Sequence, residues 1–399
     1  MGGREIRPRK YFSIMYKKLP VFIAACMGMA FFGITMTSLG SVLPQISETF
    51  GLNRIEISEL IVFLPIGILL GSLFFGPIVD RWGYKYLLII SSLFVVLGLE
   101  GMAFVKNLAW MRFAILSIGF GGGVLNGLTN ALVSDITSER DRGAKLSLLG
   151  AFYGIGALGI PVLLAFLSKL YNYQTIMQYI GLFILSCVVY FFIIGFPNAK
   201  QTQGFPLMAG AKLLKQPLLL ILSFVLFFQA AVEGLGNNWT TTYLGRVGNM
   251  SSEQALFAFT FLMIGLTAAR LLLSVLFRKI GERRLLFGSI LIALTGCAVL
   301  MFVPTYLGAS IAMTLIGFGL AATFPVVFGM LGSAYASLSG TVFSIALVIA
   351  LLGNTSVNYL MGIVAEQWGI GLYPVLMMIS LCAMILLFTL SLRAGKKNR

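Results

Sequence analysis

Polar punctuation divides an otherwise apolar chain into runs near 19–43, 57–79, 86–105, 109–133, 144–168, 175–196, 217–244, 254–277, 285–304, 306–331, 338–364 and 370–392. A helix rising about 1.5 Å per residue crosses a hydrocarbon layer of about 30 Å in about 20 residues, so each run is long enough to span a bilayer. The pattern predicts an all-α integral membrane protein with twelve transmembrane helices and no soluble domain of any size. Composition agrees, with 59% hydrophobic and 10% charged residues against about 25% charged in a soluble domain.

The two halves of the pattern repeat. Phe63, Leu64, Ile66, Gly67, Gly83, Leu87 and Leu88 recur as Phe261, Leu262, Ile264, Gly265, Gly281, Leu285 and Leu286, an offset of 198 residues. Ile118 to Gly121 recur as Ile316 to Gly319 at the same offset. With six spans per repeat, the halves share one orientation and are related by a pseudo-twofold axis along the membrane normal. The expected organisation is a six-helix half at 1–197, a cytoplasmic linker at 198–216 containing Gly204 and Pro206, and a second six-helix half at 217–399.

Charge sets the orientation. If both termini share one side, 22 of the 28 Lys and Arg lie on it, five lie opposite and Arg270 falls within a span. The positive-inside rule then predicts both termini in the cytoplasm; the expected location is a bacterial inner (plasma) membrane. The net charge of +15 sits in loops and ends between spans, so the expected surroundings are a lipid bilayer and not a nucleic acid. The segment Arg4 to Lys18 is too short and too basic for a cleaved signal peptide, and the run from Pro20 is expected to stay as the first helix. Cys26, Cys187, Cys297 and Cys382 all fall in apolar runs and there is no His; neither a disulfide framework nor a metal set is visible. Without a nucleophile elbow or ligand cluster, no enzyme, cofactor or metal is expected.

Candidate chemistry concentrates in Gln229 to Tyr243, reading QAAVEGLGNNWTTTY. Glu233 lies about 16 residues into its run, hence about 24 Å along a helix. Gly234 and Gly236 follow, and a helix there loses propensity where it carries its carboxylate and amides. An ionisable group at that depth marks a binding or coupling site, the alternative being a Glu that only pairs with a neighbouring helix. Arg270 is either its partner or a group facing carbonyls toward the cytoplasm. Glu100 lies toward the outer end of span three, where a structural role is expected. The remaining intramembrane polar residues are Thr35, Thr37 and Ser38, Asn126 and Asn130, Asn237, Asn238 and Trp239, and Asn354 and Asn358.

Gly76, Asp80, Arg81, Gly83 and Lys85 form G-x-x-x-D-R-x-G-x-K after span two. This resembles the signature loop of the major facilitator superfamily. The resemblance implies that fold, a gating role for these five residues, and a charge network locking the cytoplasmic side, extended here to Arg140 or Arg142. The second copy carries Arg278 and Lys279 where the first has Asp80 and Arg81, which predicts an asymmetric lock. Within the superfamily the chain resembles the fucose and glucose symporter group, through Leu43, Pro44 and Gln45, through Leu125, Asn126 and Asn130, through Glu233, Trp239 and Tyr243, and through Arg270. The acids of that group in spans one and four fall on Gly40 and Asn126, and its polar pair in span five on Gly150 and Tyr153; its coupling route therefore does not transfer.

The resemblance implies that spans one, four, seven and ten line a cavity. Thr35, Asn126, Asn130, Asn237, Asn238 and Trp239 are then the expected substrate contacts, with Glu233 and Arg270 as coupling groups. The expected function is a monomeric secondary active transporter of a small neutral solute, a sugar or sugar derivative, coupled to a proton or sodium ion through Glu233. A polyspecific exporter of amphipathic compounds and an uncoupled facilitator remain alternatives. Clustered amides facing Trp239 favour the first, and a wall of Phe and Met around a lone Glu233 favours the exporter.

Overall fold

The computed structural model describes residues 16–168, 170–200, 212–277, 279–303 and 305–397. Linker positions 201–211 and Arg278 of the second loop copy lie outside the described residues. Twelve helical segments are long and apolar enough to cross a membrane, and no strand occurs among the described residues. They are α1 (Lys18–Phe50), α2 (Arg54–Trp82), α3 (Tyr84–Phe104), α4 (Leu108–Ile136), α5 (Glu139–Leu167) and α6 (Tyr173–Ile193), then α7 (Pro217–Arg246), α8 (Ser252–Leu276), α9 (Glu282–Phe302), α10a (Tyr306–Leu320) with α10b (Thr323–Ala334), α11 (Ser339–Gln367) and α12 (Tyr373–Lys397). An even number of crossings puts the start of α1 and the end of α12 on one side, called here the terminal face.

One expectation about helix continuity is corrected, and one weakness of propensity is overridden by packing. The tenth run, read as one span, is broken at Ala321 and Ala322. Pro325 explains the break: it has no N–H to give, and its ring would meet the carbonyl four residues back, that of Ala321. Conversely, α7 runs unbroken through Gly234 and Gly236. Gly234 is where α11 closes in, since a Cβ there would meet the Asn354 and Asn358 amides. Tertiary packing, and not propensity, holds that turn of helix.

The repeat is also a repeat of contacts. A Cβ on Gly98 would meet Ala114 O and Ile118, and one on Gly296 would meet Ala312 O and Ile316. Gly121 abuts Ser91 O and Val95, while Gly319 abuts Ser289 O and Ala293. Each partner is displaced by the same 198 residues. In lipid, where apolar side chains gain little by leaving their surroundings, such small-residue approaches are what joins helices.

Within the first six helices α2 packs on α4, α3 on α4 and α6, and α1 on α5; within the last six α11 and α12 pack on α7, and α8 and α9 on α10a. The two sets meet through α2 with α11 and through α5 with α8 and α10b. Ile90 and Leu97 of α3, Phe183 and Val189 of α6, Leu291 of α9 and Ile379 and Leu386 of α12 are exposed apolar residues on the outside of this bundle. That leaves α1, α2, α4, α5, α7, α8, α10 and α11 to enclose the space between the sets.

Candidate functional site: a cavity between the two helix sets

A cavity of about 520 Å³ lies between the sets, within the range of small-molecule sites. Met29, Phe32 and Met36 of α1 recur at helical spacing along one wall; Asn126 and Asn130 of α4 form another. Glu233 and Asn237 come from α7, Phe324 and Pro325 from the start of α10b, and Asn354 and Thr355 from α11. The Asn130 amide donates to the Asn126 carbonyl at 2.8 Å, which fixes the α4 pair as a unit.

Arg270 is buried at 6% exposure and belongs to α8, yet it is held by α5. Its Nη1 donates to Gly150 O at 2.9 Å, its Cζ lies 5.5 Å from the centre of the Tyr153 ring, and its own carbonyl accepts from Ser147 Oγ at 2.7 Å. Ser147, Gly150 and Tyr153 fall on one stripe of α5, three residues apart. Gly150 makes the fit possible, because a Cβ would sit 3.0 Å from Arg270 Cδ and 3.1 Å from its Nε. Glu233 and Arg270 line the same cavity, while the guanidinium hydrogen bond goes to Gly150 of α5. The arrangement sets a carboxylate and a guanidinium held by α5 on the wall of one cavity.

Of the residues expected to contact substrate, the structure brings Asn126, Asn130 and Asn237 to the cavity together with Glu233 and Arg270. Three others are elsewhere. Thr35 is fully buried and donates to Phe31 O at 3.0 Å, packed against Gly122. Asn238 donates to Asn358 Oδ1 at 3.0 Å, tying α7 to α11. Trp239 packs toward Gly362 of α11 and is not on the cavity wall. Sequence reasoning did not assign Tyr153, Phe324, Asn354 or Thr355 to the site. Glu100 lies against Gly181 of α6, a structural position.

At the terminal face the sets are fastened. Asp80, 1% exposed, accepts from Gly340 N at 3.2 Å, Thr341 N at 2.8 Å and Thr341 Oγ1 at 2.7 Å. A carboxylate is thus set on the free N–H groups opening α11, where the helix dipole favours negative charge. Gly76 lets α2 come this close, since a Cβ there would meet Gly340 O and Ser344. Gly83, at φ 82°, turns the chain into α3 in a conformation that suits glycine. Lys85 donates to Phe192 O at 2.8 Å and Ile194 O at 3.2 Å, closing the end of α6. The expected link from Asp80 to Arg140 or Arg142 is corrected: Arg140 is exposed, and Arg142 donates to Ser134 O at 3.0 Å and to Ser333 Oγ. Arg142 still joins the sets, through α10b. A second fastening was not foreseen. Lys200 pairs with Asp135 at 2.6 Å and donates to Ala336 O and Ser339 Oγ, both at 2.6 Å; Asp135 also accepts from Ser339 at 3.0 Å and from Tyr84.

A family model described as Major Facilitator Superfamily matches residues 23–355. The glucose/mannose transporter GlcP of Bacillus subtilis is 24% identical over 359 residues, covering 84% of this chain and 86% of that one. The solved structure of the fucose:proton symporter FucP of E. coli, in the outward conformation, superposes with a TM-score of 0.79 at 18% identity over 93% of this chain and 98% of that one. The proton:xylose symporter XylE, bound to 6-bromo-6-deoxy-D-glucose, superposes with a TM-score of 0.75 at 14% identity over 95% of each chain. The match of residues 23–355, the twelve membrane-length helices and the Asp80 loop thus converge: the chain belongs to the major facilitator superfamily and is an integral membrane transporter.

Proposed function

We propose that the protein is an alternating-access symporter of a sugar or sugar derivative, driven by a proton or sodium ion that binds at Glu233. The observation that carries this reading is the cavity lining: one carboxylate, one clamped guanidinium and the amides Asn126, Asn130, Asn237 and Asn354. Amides give and accept hydrogen bonds without charge, which matches a polyol. The activities named for the three relatives, on glucose or mannose, fucose and xylose, support the same class. In this reading 1–197 and 217–399 move as two bodies of one monomer joined by 198–216, in a bacterial inner membrane. The terminal face is cytoplasmic, and Asp80, Arg142 and Lys200 hold it shut while the cavity is offered to the outside.

The exporter reading has support of its own, since Met29, Met36, Phe32 and Phe324 also line the space. Glu233 is not a lone polar group there, however, and the amides have no role in an apolar export cavity.

Reconstituted Glu233→Gln tests the proposal, using a panel of D-glucose, D-mannose, L-fucose and D-xylose. The amide keeps size and hydrogen-bonding shape but cannot change charge. Gradient-driven accumulation should fail while counterflow, which needs no net ion movement, persists. Wild-type accumulation by a stable mutant would remove Glu233 from coupling; loss of both activities would make it a substrate contact.

A further inference from the structure

Phe324 stands at the cavity wall one residue into α10b, just past the break at Ala321 and Ala322. Its ring centre lies 5.6 Å from that of Phe328, one turn on. Phe328 is stacked on Phe343 of α11, with centres 4.5 Å apart and planes 24° apart. Phe328 and Phe343 are 1% and 0% exposed. Two residues before Phe343 is Thr341, which holds Asp80 by two hydrogen bonds; one residue after it is Ser344, which donates to Leu73 O of α2 at 2.9 Å. Three rings in contact therefore run from the space a solute would fill to the helix turn that fastens the terminal face.

The equivalent positions of the other half carry no such series. At the repeat offset, Phe324, Phe328 and Phe343 correspond to Asn126, Asn130 and Lys145, and Lys145 lies 4.4 Å over the Phe22 ring instead. The aromatic series thus occurs on the side where Asp80 meets α11. A helix broken just before Phe324 has a point about which α10b can tilt, and close-packed rings pass a displacement on instead of absorbing it.

We infer that Phe324 is a positioning residue by which cavity occupancy acts on the terminal-face lock, with Phe328 and Phe343 carrying the displacement to the start of α11. The inference rests on the alternating-access reading and not on the role of Glu233. A solute pressing on Phe324 tilts α10b, Phe328 moves Phe343, and the Thr341 donors leave Asp80. Filling the cavity would then weaken the closure that must part for release on the terminal face.

The test needs no identified solute. Spin labels at Lys18 and Lys215, both exposed at the terminal face, in full-length protein with its native cysteines replaced, report the separation of the two helix sets by pulsed electron resonance. Phe324→Trp enlarges the cavity end of the series and should add a longer-distance population. Phe328→Leu, and separately Phe343→Leu, should abolish that response while the protein stays monodisperse. If Phe328→Leu does not fold, Phe343→Leu reads the same link from its other side. An unchanged distribution in Phe324→Trp, or a response that persists with either ring removed, would overturn the inference. Neither result bears on accumulation and counterflow by Glu233→Gln, so the two readings fail independently.

Discussion

Replacing Asp80 by Asn removes one charge and one acceptor from a carboxylate that meets three donors from Gly340 and Thr341. The amide oxygen can keep one side of this contact, but its NH2 then faces an N–H, donor against donor. Losing one charge-assisted hydrogen bond costs about 1.5–3 kcal/mol. Loss of the charge from the α11 N-terminus adds about 0.3–2 kcal/mol. Together the closed terminal face should lose about 2–5 kcal/mol relative to the open one, roughly a 30- to 4,000-fold change in their ratio. Spin labels at Lys18 and Lys215 should show the open population rise by that factor up to saturation. Thr341→Ala removes only the hydroxyl bond, also charge-assisted, and should move the ratio the same way by about 1.5–3 kcal/mol. Because the two share one contact, the double mutant should fall short of the sum. A distance distribution unchanged in Asp80→Asn would refute the assignment of this contact as a lock, since its hydrogen bonds would then exist without bearing on the equilibrium.

Lys200→Met leaves Asp135 with hydroxyl partners but no cation; for a partly buried pair the loss is about 1–2 kcal/mol, so the same labels should report a shift of roughly tenfold toward opening, and an unchanged ratio would make Lys200 decoration. Asn130→Ala should weaken binding of whichever panel sugar supports counterflow by about 5- to 150-fold, the equivalent of about 1–3 kcal/mol for an unsatisfied site. Trp239→Ala, packed away toward α11, should leave that affinity within about twofold while lowering thermal stability; an equal loss of affinity in both would return Trp239 to the binding site.

Architecture was readable from the chain because it depends on period and length. The apolar runs, the 198-residue offset and the spelling of the loop at Asp80 are each local or repetitive, and the folded molecule shows them as helices, matched contacts and a fastening. Charges at depth, Glu233 and Arg270, were readable because lipid tolerates them only for a reason. The face of α7 was misjudged by treating sequence neighbours as spatial ones. At about 100° per residue, Asn237 lies about 40° from Glu233 and joins it at the cavity, whereas Trp239 lies about 120° away on the other flank and meets Gly362. Helical phase, applied to the same stretch, separates them. Met29, Phe32 and Met36 satisfy that phase on α1, and Thr35 does not. Asp135 and Lys200 were missed for another reason: a charged residue at a span edge looks the same whether it greets solvent or a partner far along the chain, and only the folded contact distinguishes the two.

The duplicated glycine contacts bear on how the molecule is made. Gly98 with Ala114 and Ile118, and Gly121 with Ser91 and Val95, are complete within the portion that leaves the ribosome first. Nothing in those contacts waits for residues beyond α6. The first six helices can therefore settle against one another inside the bilayer while the remainder is still being synthesised, and the later six carry a second copy of the same instructions. What the finished pair must find last is the terminal-face seam of Asp80, Arg142 and Lys200, which is hydrogen-bonded and local to one side. A membrane protein assembled in that order completes the contacts within each set of helices before the contacts between them.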